Sequence, residues 1–269
     1  MLLFGCDFSS SPSRRKPIVV ATGSRVGRRV LIHDILSFPA MRNWADWLIG
    51  NDAWVGGFDF PFGLPRELVQ HLGWPLDWRG CMDHYIALSR SEIRSTFMAF
   101  CAARPVGGKF AHRATDVPAG SSTSMKWVNP PVAYMLHAGM PALLNAEATL
   151  PGLQEGRADR IALEAYPGLL ARELIGRRSY KSDSKAGSTS ERLTARECLL
   201  DKLEQGNTRL GLCLEAGPVL RASLVADASA DRLDAVLCLV QTVWAYERRH
   251  SGWGLPKSVD PLEGWIVSA

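Results

Sequence analysis

The chain predicts an α/β fold in which a mixed five-stranded sheet is flanked by helices. Two observations support this class: short apolar segments separated by turn residues open the chain, and helical patterns alternate with further strand patterns after them. With 269 residues, of which 46% are hydrophobic, the chain is long enough to bury one large core. We therefore expect a single domain over residues 1–269.

The first three elements are predicted strands. Residues 1–8 form an apolar run, and residues 17–22 and 29–34 have the composition of two further strands. Ser-, Pro- and Gly-rich turns separate the three segments. Such short connections favour an antiparallel meander.

A helix and a returning strand come next. Met41, Trp44 and Leu48 recur at helical spacing, which predicts a helix over residues 39–50. Residues 52–60 then show a strand pattern, and this strand must cross over to lie beside the first one.

The middle of the chain, residues 66–150, loses the strand pattern and becomes rich in Trp, Pro, Gly and His. Helical patterns occur near residues 82–101 and 131–144. We interpret residues 66–150 as a helical insertion or lid within the domain.

The last part of the chain returns to alternating elements. It contains a predicted strand at residues 157–165, helices at about 168–175 and 194–204, a polar loop at 177–191 and a long apolar helix at 231–249. No internal repeat is evident.

Composition limits the possible functions. The net charge of +4 permits an anionic partner without requiring one. The six cysteines have neither CxxC spacing nor suitably placed His, which disfavours structural zinc and indicates reduced thiols. We find neither a signal-like segment nor an apolar run long enough for a bilayer, so we expect a cytoplasmic protein with no membrane partner. The oligomeric state is not indicated.

Carboxylates lie at the ends of three predicted strands and at the start of the last predicted helix. Asp7, Asp59 and Glu164 close three strand patterns, and Asp231 and Asp234 lie three apart, on one face of the last helix. A carboxylate in an apolar run is costly to bury without a partner. Mg²⁺ and Mn²⁺ prefer oxygen ligands, and two such ions ~4 Å apart can hold both reacting oxygens of a phosphoryl displacement. The pattern predicts a metal site with Asp7, Asp59 and Asp234 as ligands and Asp231 or Glu164 completing it.

Each acid also has a structural interpretation. Asp7 and Asp59 could accept backbone hydrogen bonds in turns. Asp231 could be the N-cap of its helix, and Asp234 would then benefit from the helix dipole in the first turn. These separate interpretations leave the convergence of the acids unexplained.

Basic residues near the predicted site are candidates for nucleic-acid contacts. Lys181, Lys185 and Arg192 lie in the polar loop and at the next helix start, and Lys109 and Arg113 lie in the insertion. A charge run is more often a solvated surface, so this prediction depends on the acidic site. The chain has neither a GxSxG elbow nor a Walker-type phosphate loop.

The predicted elements occur in the order of a ribonuclease H-like fold. Motifs at residues 5–7, 58–65, 164–167, 231–235 and 262–266 resemble the domain-of-unknown-function proteins predicted to be nucleases with that fold. The resemblance spans nearly the whole chain, although the insertion carries little of it.

This resemblance implies a function. Similar nucleases, including Holliday-junction resolvases, use an aspartate on the first strand, an acid on a neighbouring strand and an acidic pair on a late helix. Asp7, Asp59 and the pair Asp231 and Asp234 match these positions. We therefore expect a nuclease that hydrolyses phosphodiester bonds of DNA or RNA by a two-metal mechanism with Mg²⁺ or Mn²⁺.

Two alternatives remain open. The related actin-like sugar-kinase and ATPase superfamily also has an acidic, hydroxyl-rich turn after the first strand, as residues 7–11 have here. A binding module that kept the fold without catalysis is the other alternative, since a fold does not fix a function.

Overall fold

The computed structural model describes residues 1–182 and 187–269. The strands are β1 (Leu2–Asp7), β2 (Ile18–Val26), β3 (Arg29–Phe38), β4 (Trp54–Phe58), β5 (Ala148–Thr149), β6 (Arg157–Glu164) and β7 (Cys213–Glu215). The helices are α1 (Met41–Gly50), α2 (Arg66–Leu72), α3 (Trp78–Ala87), α4 (Arg90–Ala102), α5 (Asp116–Ala119), α6 (Val132–Asn145), α7 (Pro167–Ile175), α8 (Ser190–Glu204), α9 (Pro218–Ala226) and α10 (Asp231–Glu247), followed by a 3-10 helix at Arg249–Gly254.

The strands of the described residues form one mixed seven-stranded sheet in the order β5-β6-β4-β1-β2-β3-β7. β1, β2 and β3 are antiparallel neighbours, while β4 pairs parallel to β1 and β6 parallel to β4. The predicted meander and the return of the fourth strand beside the first are therefore confirmed. The prediction of five strands is wrong, because β5 and β7 add short parallel edges of two and three residues that show no periodicity in the sequence.

Helix prediction located most of the helices but missed some and merged two. The helices α1, α6, α7, α8 and α10 lie close to their predicted ranges. The single helical pattern near residues 82–101 is two helices, α3 and α4, because Leu88 ends the first and Ser89 caps the second. The helices α2, α5 and α9 were not predicted: α2 and α5 have too few turns to show an apolar face, and in α9 Leu224 alone is buried.

Helices cover both faces of the sheet. Phe4 and Cys6 on β1 belong to a core shared with α1 to α4 and α6, whereas Leu3 belongs to a second core shared with α7 to α10. This division follows from the alternation of side chains along a strand. The helices of residues 66–150 thus form a layer packed on the sheet.

The helix α10 lies directly on the central strands, because β1 and β4 carry glycine at the points of closest approach. A Cβ at Gly5 would overlap the backbone of Leu239, and one at Gly57 would overlap the Thr242 hydroxyl. The Thr242 hydroxyl also donates to the carbonyl oxygen of Phe4 at 3.0 Å. The first turn of α10 is therefore held beside the end of β1.

Two further observations concern the cysteines and the lengths of the helices. All six cysteines are free, and four of them are buried. Within residues 1–182 and 187–269, no helix is both long and apolar enough to cross a bilayer.

Candidate functional site

Three parallel strands end together at one edge of the sheet. Cys6 on β1 pairs with Phe58 on β4, and Phe58 pairs with Glu164 on β6. Asp7 and Asp59 follow in register, and the Asp59 N–H donates to the carbonyl oxygen of Cys6 at 2.9 Å. The structure thus brings Asp7, Asp59 and Glu164 to the carboxyl edge of the sheet, where open α/β sheets bind their ligands.

The first turn of α10 adds two acids to this edge. Burial raises the pKa of Asp7 well above its ordinary value, and the charges of Asp234, Asp231 and Asp59 raise it further. Like charges exert such an effect only at short range. The charge of Glu164 also raises the pKa of Asp59, so all five predicted acids interact electrostatically, with Asp7 at 8% exposure.

Asp7 and Asp59 differ from the other acids because neither carboxylate accepts a hydrogen bond or an ion pair from any described residue. Burial raises the pKa of Asp59 to about 7, although the charge of Lys181 opposes the rise. No described hydrogen bond supports the alternative that these aspartates only form turns. Two adjacent carboxylates therefore lack a partner in a site that disfavours their charge.

Lysines neutralise the two acids of α10. The fully buried Asp234 accepts hydrogen bonds from the Tyr180 hydroxyl at 2.6 Å and from the Lys181 ammonium at 2.5 Å. Asp231 accepts one from the Lys16 ammonium at 2.7 Å. The charge of Asp234 raises the pKa of Lys181, so this lysine stays protonated beside the acids.

The expectation that Asp231 is the N-cap of its helix is wrong. Ala230 occupies the N-cap in a left-handed conformation, with φ of 59°, and Asp231 is the first helical residue. Asp227 caps the turn instead, since its carboxylate accepts the N–H of Arg232 at 3.1 Å and that of Ser229 at 3.1 Å. The Asp231 carboxylate is consequently available to Lys16.

Glu164 lies at the same edge but is fully engaged. Its oxygens accept two hydrogen bonds from Arg113, at 2.7 and 2.8 Å, and one from the N–H of Phe62 at 3.0 Å. Arg113 also binds Asp116 at 2.9 Å. Burial alone would lower the pKa of Arg113, but Glu164 and Asp116 outweigh it and raise the pKa. Arg113, predicted to contact phosphate, is therefore a buried cation committed to two carboxylates.

The remaining predicted nucleic-acid residues lie at different places. Lys109 is exposed in the loop between α4 and α5. Arg192 lies in the first turn of α8, where its guanidinium donates to the carbonyl of Gly187. Lys181 lies at the acidic edge, and Lys185 falls outside the described residues. Of Lys109, Lys181 and Arg192, therefore, Lys181 alone contacts one of the predicted acids.

Three cavities include acids of this edge in their lining. The apolar cavity has a volume of about 400 Å³ and the arginine cavity about 430 Å³, and they share Asp59, Tyr166 and Lys181. The N-terminal cavity, of about 460 Å³, includes Asp231 but none of these three residues. Each cavity also has lining residues that the other two lack. These are Phe60, Val132 and Met135 in the apolar cavity, Arg172, Arg177 and Arg178 in the arginine cavity, and Arg14, Arg15 and Arg232 in the N-terminal cavity.

Sequence reasoning missed several residues that support the site. Lys16 and Tyr180 contact the acids of α10, and Asp116 completes the environment of Arg113. Glu263 accepts the N–H groups of Arg66 and Ala114, each at 2.8 Å. The basic run at residues 14–16 and the motif at 262–266 were the only signals in the sequence.

The acids do not form a ready cage for an ion. In the part of the chain that the structure describes, no group of three or more His, Cys, Asp or Glu side chains is placed to hold one metal ion. Asp7 and Asp59 nevertheless form an adjacent pair of oxygen donors without partners. Mg²⁺ is commonly held by one or two carboxylates, with water and substrate phosphates as its other ligands. The pair fits this mode of binding.

Comparison of the chain with protein-family models, with curated proteins and with solved structures found no match. The α/β class alone does not fix a function. The site is therefore the basis for the functional argument.

Proposed function

We propose that this protein is a divalent-metal-dependent nuclease with a ribonuclease H-like core, which hydrolyses phosphodiester bonds of nucleic acid. The observation that carries this proposal is the pair Asp7 and Asp59, two neighbouring carboxylates that accept no hydrogen bond or ion pair from any described residue. A buried charge without a partner costs folding free energy, so such a pair favours a role in binding a cation.

In this proposal Asp7 and Asp59 hold Mg²⁺ or Mn²⁺. When bound, the ion supplies positive charge for the phosphoryl oxygens and favours ionisation of water at neutral pH. Lys181, which stays protonated beside Asp234, is placed to pair with a phosphate oxygen of the substrate. A move of Lys181 onto phosphate would free Asp234 as a further oxygen donor.

Glu164 has a positioning role in this proposal. Its hydrogen bonds from Arg113 and from the N–H of Phe62 fix the segment that follows β4, which includes Asp59. A carboxylate with all these partners is less suited to bind a metal than one without any. Asp231 similarly holds Lys16 beside the acids.

Clusters of arginine beside the acidic edge favour nucleic acid as the substrate. A polyanion gains affinity from several separated cations along its path. One cluster lines the arginine cavity, which includes Asp59, and the other lines the N-terminal cavity, which includes Asp231, so a phosphodiester chain lying along the edge would contact both. These arginines are Arg172, Arg177 and Arg178 in the arginine cavity and Arg14, Arg15 and Arg232 in the N-terminal cavity.

The test is hydrolysis of single-stranded, duplex and branched DNA and RNA in Mn²⁺ or Mg²⁺. Asp7→Asn keeps the size of the side chain and should lower the rate at least about 10²-fold, since it removes a charge that holds the ion. Asp46→Asn, at an exposed position of α1, is the matched control and should retain the wild-type rate.

Two outcomes would replace the proposal. Hydrolysis or transfer of phosphate from ATP, without cleavage of any nucleic acid, would favour the actin-like alternative. Binding of nucleic acid without turnover by wild type would favour the non-catalytic module.

A further inference from the structure

We propose that the apolar cavity beside Asp59 binds one unpaired nucleobase, so that the substrate is a single-stranded or splayed nucleic acid and not a fully paired duplex. This inference rests on the proposed phosphodiester chemistry, because that chemistry places a phosphate at the acidic edge. It adds a base-binding site and a substrate class to the proposed function.

The cavity has the size and lining of a site for a flat aromatic group. Its volume of about 400 Å³ is within the range of cavities that bury a single small molecule. Val132 and Met135, on α6, and the half-buried Tyr166 provide apolar and aromatic walls. Ser121 and Ser122 also line the cavity. The Ser121 hydroxyl donates to Asp116 at 3.1 Å and can only accept a further hydrogen bond, whereas the Ser122 hydroxyl can hydrogen-bond to the edge of a base.

The rim of the cavity would place a phosphate next to this base. Asp59, Tyr166 and Lys181 line both the apolar cavity and the arginine cavity, so the two cavities meet beside the acids. A nucleotide with its base in the apolar cavity would have its phosphate near Lys181. The next phosphate would then extend toward Arg177 and Arg178.

The walls of this cavity favour an unpaired base over a paired one. The walls approach from α6, from the segment after β6 and from Ile266 of the C-terminal segment, so the site surrounds its occupant on several sides. Entry requires that the base leave its stack and its partner. The energetic cost of this step is smallest for single strands and for mismatched or terminal nucleotides.

The experiment measures binding of a short single-stranded DNA carrying 2-aminopurine, and of the same strand in a blunt duplex, with Ca²⁺ in the buffer. Wild type should bind the single strand about tenfold more tightly than the duplex, and aminopurine emission should change on binding. Met135→Trp fills the cavity without changing charge and should weaken single-strand binding about tenfold.

Met98→Trp is the matched control. Met98 lies on α4 and is 47% exposed, outside the lining of the cavity, so its replacement should change affinity by less than about twofold. Ser122→Phe fills the cavity from a loop, and it provides the same test if Met135→Trp does not fold, as judged by circular dichroism.

The outcomes separate this inference from the proposed function. If Met135→Trp and Ser122→Phe bind the single strand as Met98→Trp does, or if wild type prefers the duplex, the base site is refuted, whether or not wild type hydrolyses DNA. If the filled variants lose binding while wild type hydrolyses no nucleic acid, the base site stands and the nuclease proposal fails.

Discussion

Two groups of acids lie at one edge of the sheet. One is paired with a buried arginine, and the other has no ion-pair partner among the described residues. The compensated cluster consists of Glu164 and Asp116 around Arg113, with side chains at most 3% exposed and paired through hydrogen bonds of 2.7 to 2.9 Å. The uncompensated pair consists of Asp7 and Asp59, which have no such partner among the described residues.

The comparison distinguishes structural from functional burial of charge. An ion pair in the interior recovers its desolvation cost only when its geometry satisfies the remaining donors and acceptors, as in the compensated cluster. A carboxylate left without a partner lowers stability, so the fold tolerates it where a ligand supplies the missing charge. Removing a charge should therefore have opposite effects in the two groups.

The largest expected effect is on the compensated cluster. Arg113→Met would leave Glu164 and Asp116 buried without a cation, and should lower the free energy of unfolding by about 3–5 kcal/mol in urea titrations. Adding Glu164→Gln to this variant should recover part of the loss. A decrease in the free energy of unfolding of less than about 1 kcal/mol would contradict the prediction that Glu164 and Asp116 depend on Arg113.

The next effect is stabilisation by metal. Millimolar Mn²⁺ should raise the free energy of unfolding of wild type by about 2–3 kcal/mol if the concentration is near a hundred times Kd. Asp7→Asn should remove this increase, whereas Asp46→Asn should retain it. An equal melting temperature of wild type with and without Mn²⁺ would argue against the site.

A third effect is the pH dependence of stability without metal. The folded pKa of Asp59, about 7, lies above the ordinary value of 3.8, so the native state binds more protons than the unfolded state between these values. Asp59 should therefore contribute a fall in the free energy of unfolding of roughly 1–2 kcal/mol as pH rises from about 4 to about 7, after allowance for partial exposure. The raised pKa of Asp7 contributes a fall of the same sign. Asp59→Asn should reduce the slope, and an unchanged slope would contradict the prediction.

The smallest effect concerns the lysine at the edge. Lys181→Gln removes a half-exposed cation from the acids and should lower the free energy of unfolding by about 0.5–1 kcal/mol at low salt. Arg79→Gln removes an exposed ion pair with Asp83 and should cost less than about 0.5 kcal/mol. High salt screens both ion pairs, so it should reduce the difference in the free energy of unfolding between the two variants. A difference that salt does not change would contradict this electrostatic explanation.

The sequence predicted the positions of the acids because each ends a strand pattern or begins a helix pattern. Asp7 and Asp59 could be placed together once β4 was expected beside β1, since a parallel register follows from that order. Their partners could not be predicted in the same way. Arg113 and Glu164 are 51 residues apart, and their contact depends on how the middle helices pack. The edge strands β5 and β7 were too short to show a period.

The C-terminal segment contacts parts of the chain that are synthesised long before it. Glu263 accepts the N–H of Ala114, the Ile266 N–H donates to the Thr115 hydroxyl at 3.0 Å, and the Val267 N–H donates to the carbonyl of Glu164 at 2.8 Å. In a chain synthesised from its N-terminus, residues 263–267 leave the ribosome after Ala114, Thr115 and Glu164. Asp231 and Asp234 likewise follow Asp7 by more than two hundred positions in the sequence. The carboxylates of α10 can therefore join Asp7 only after all seven described strands have been synthesised.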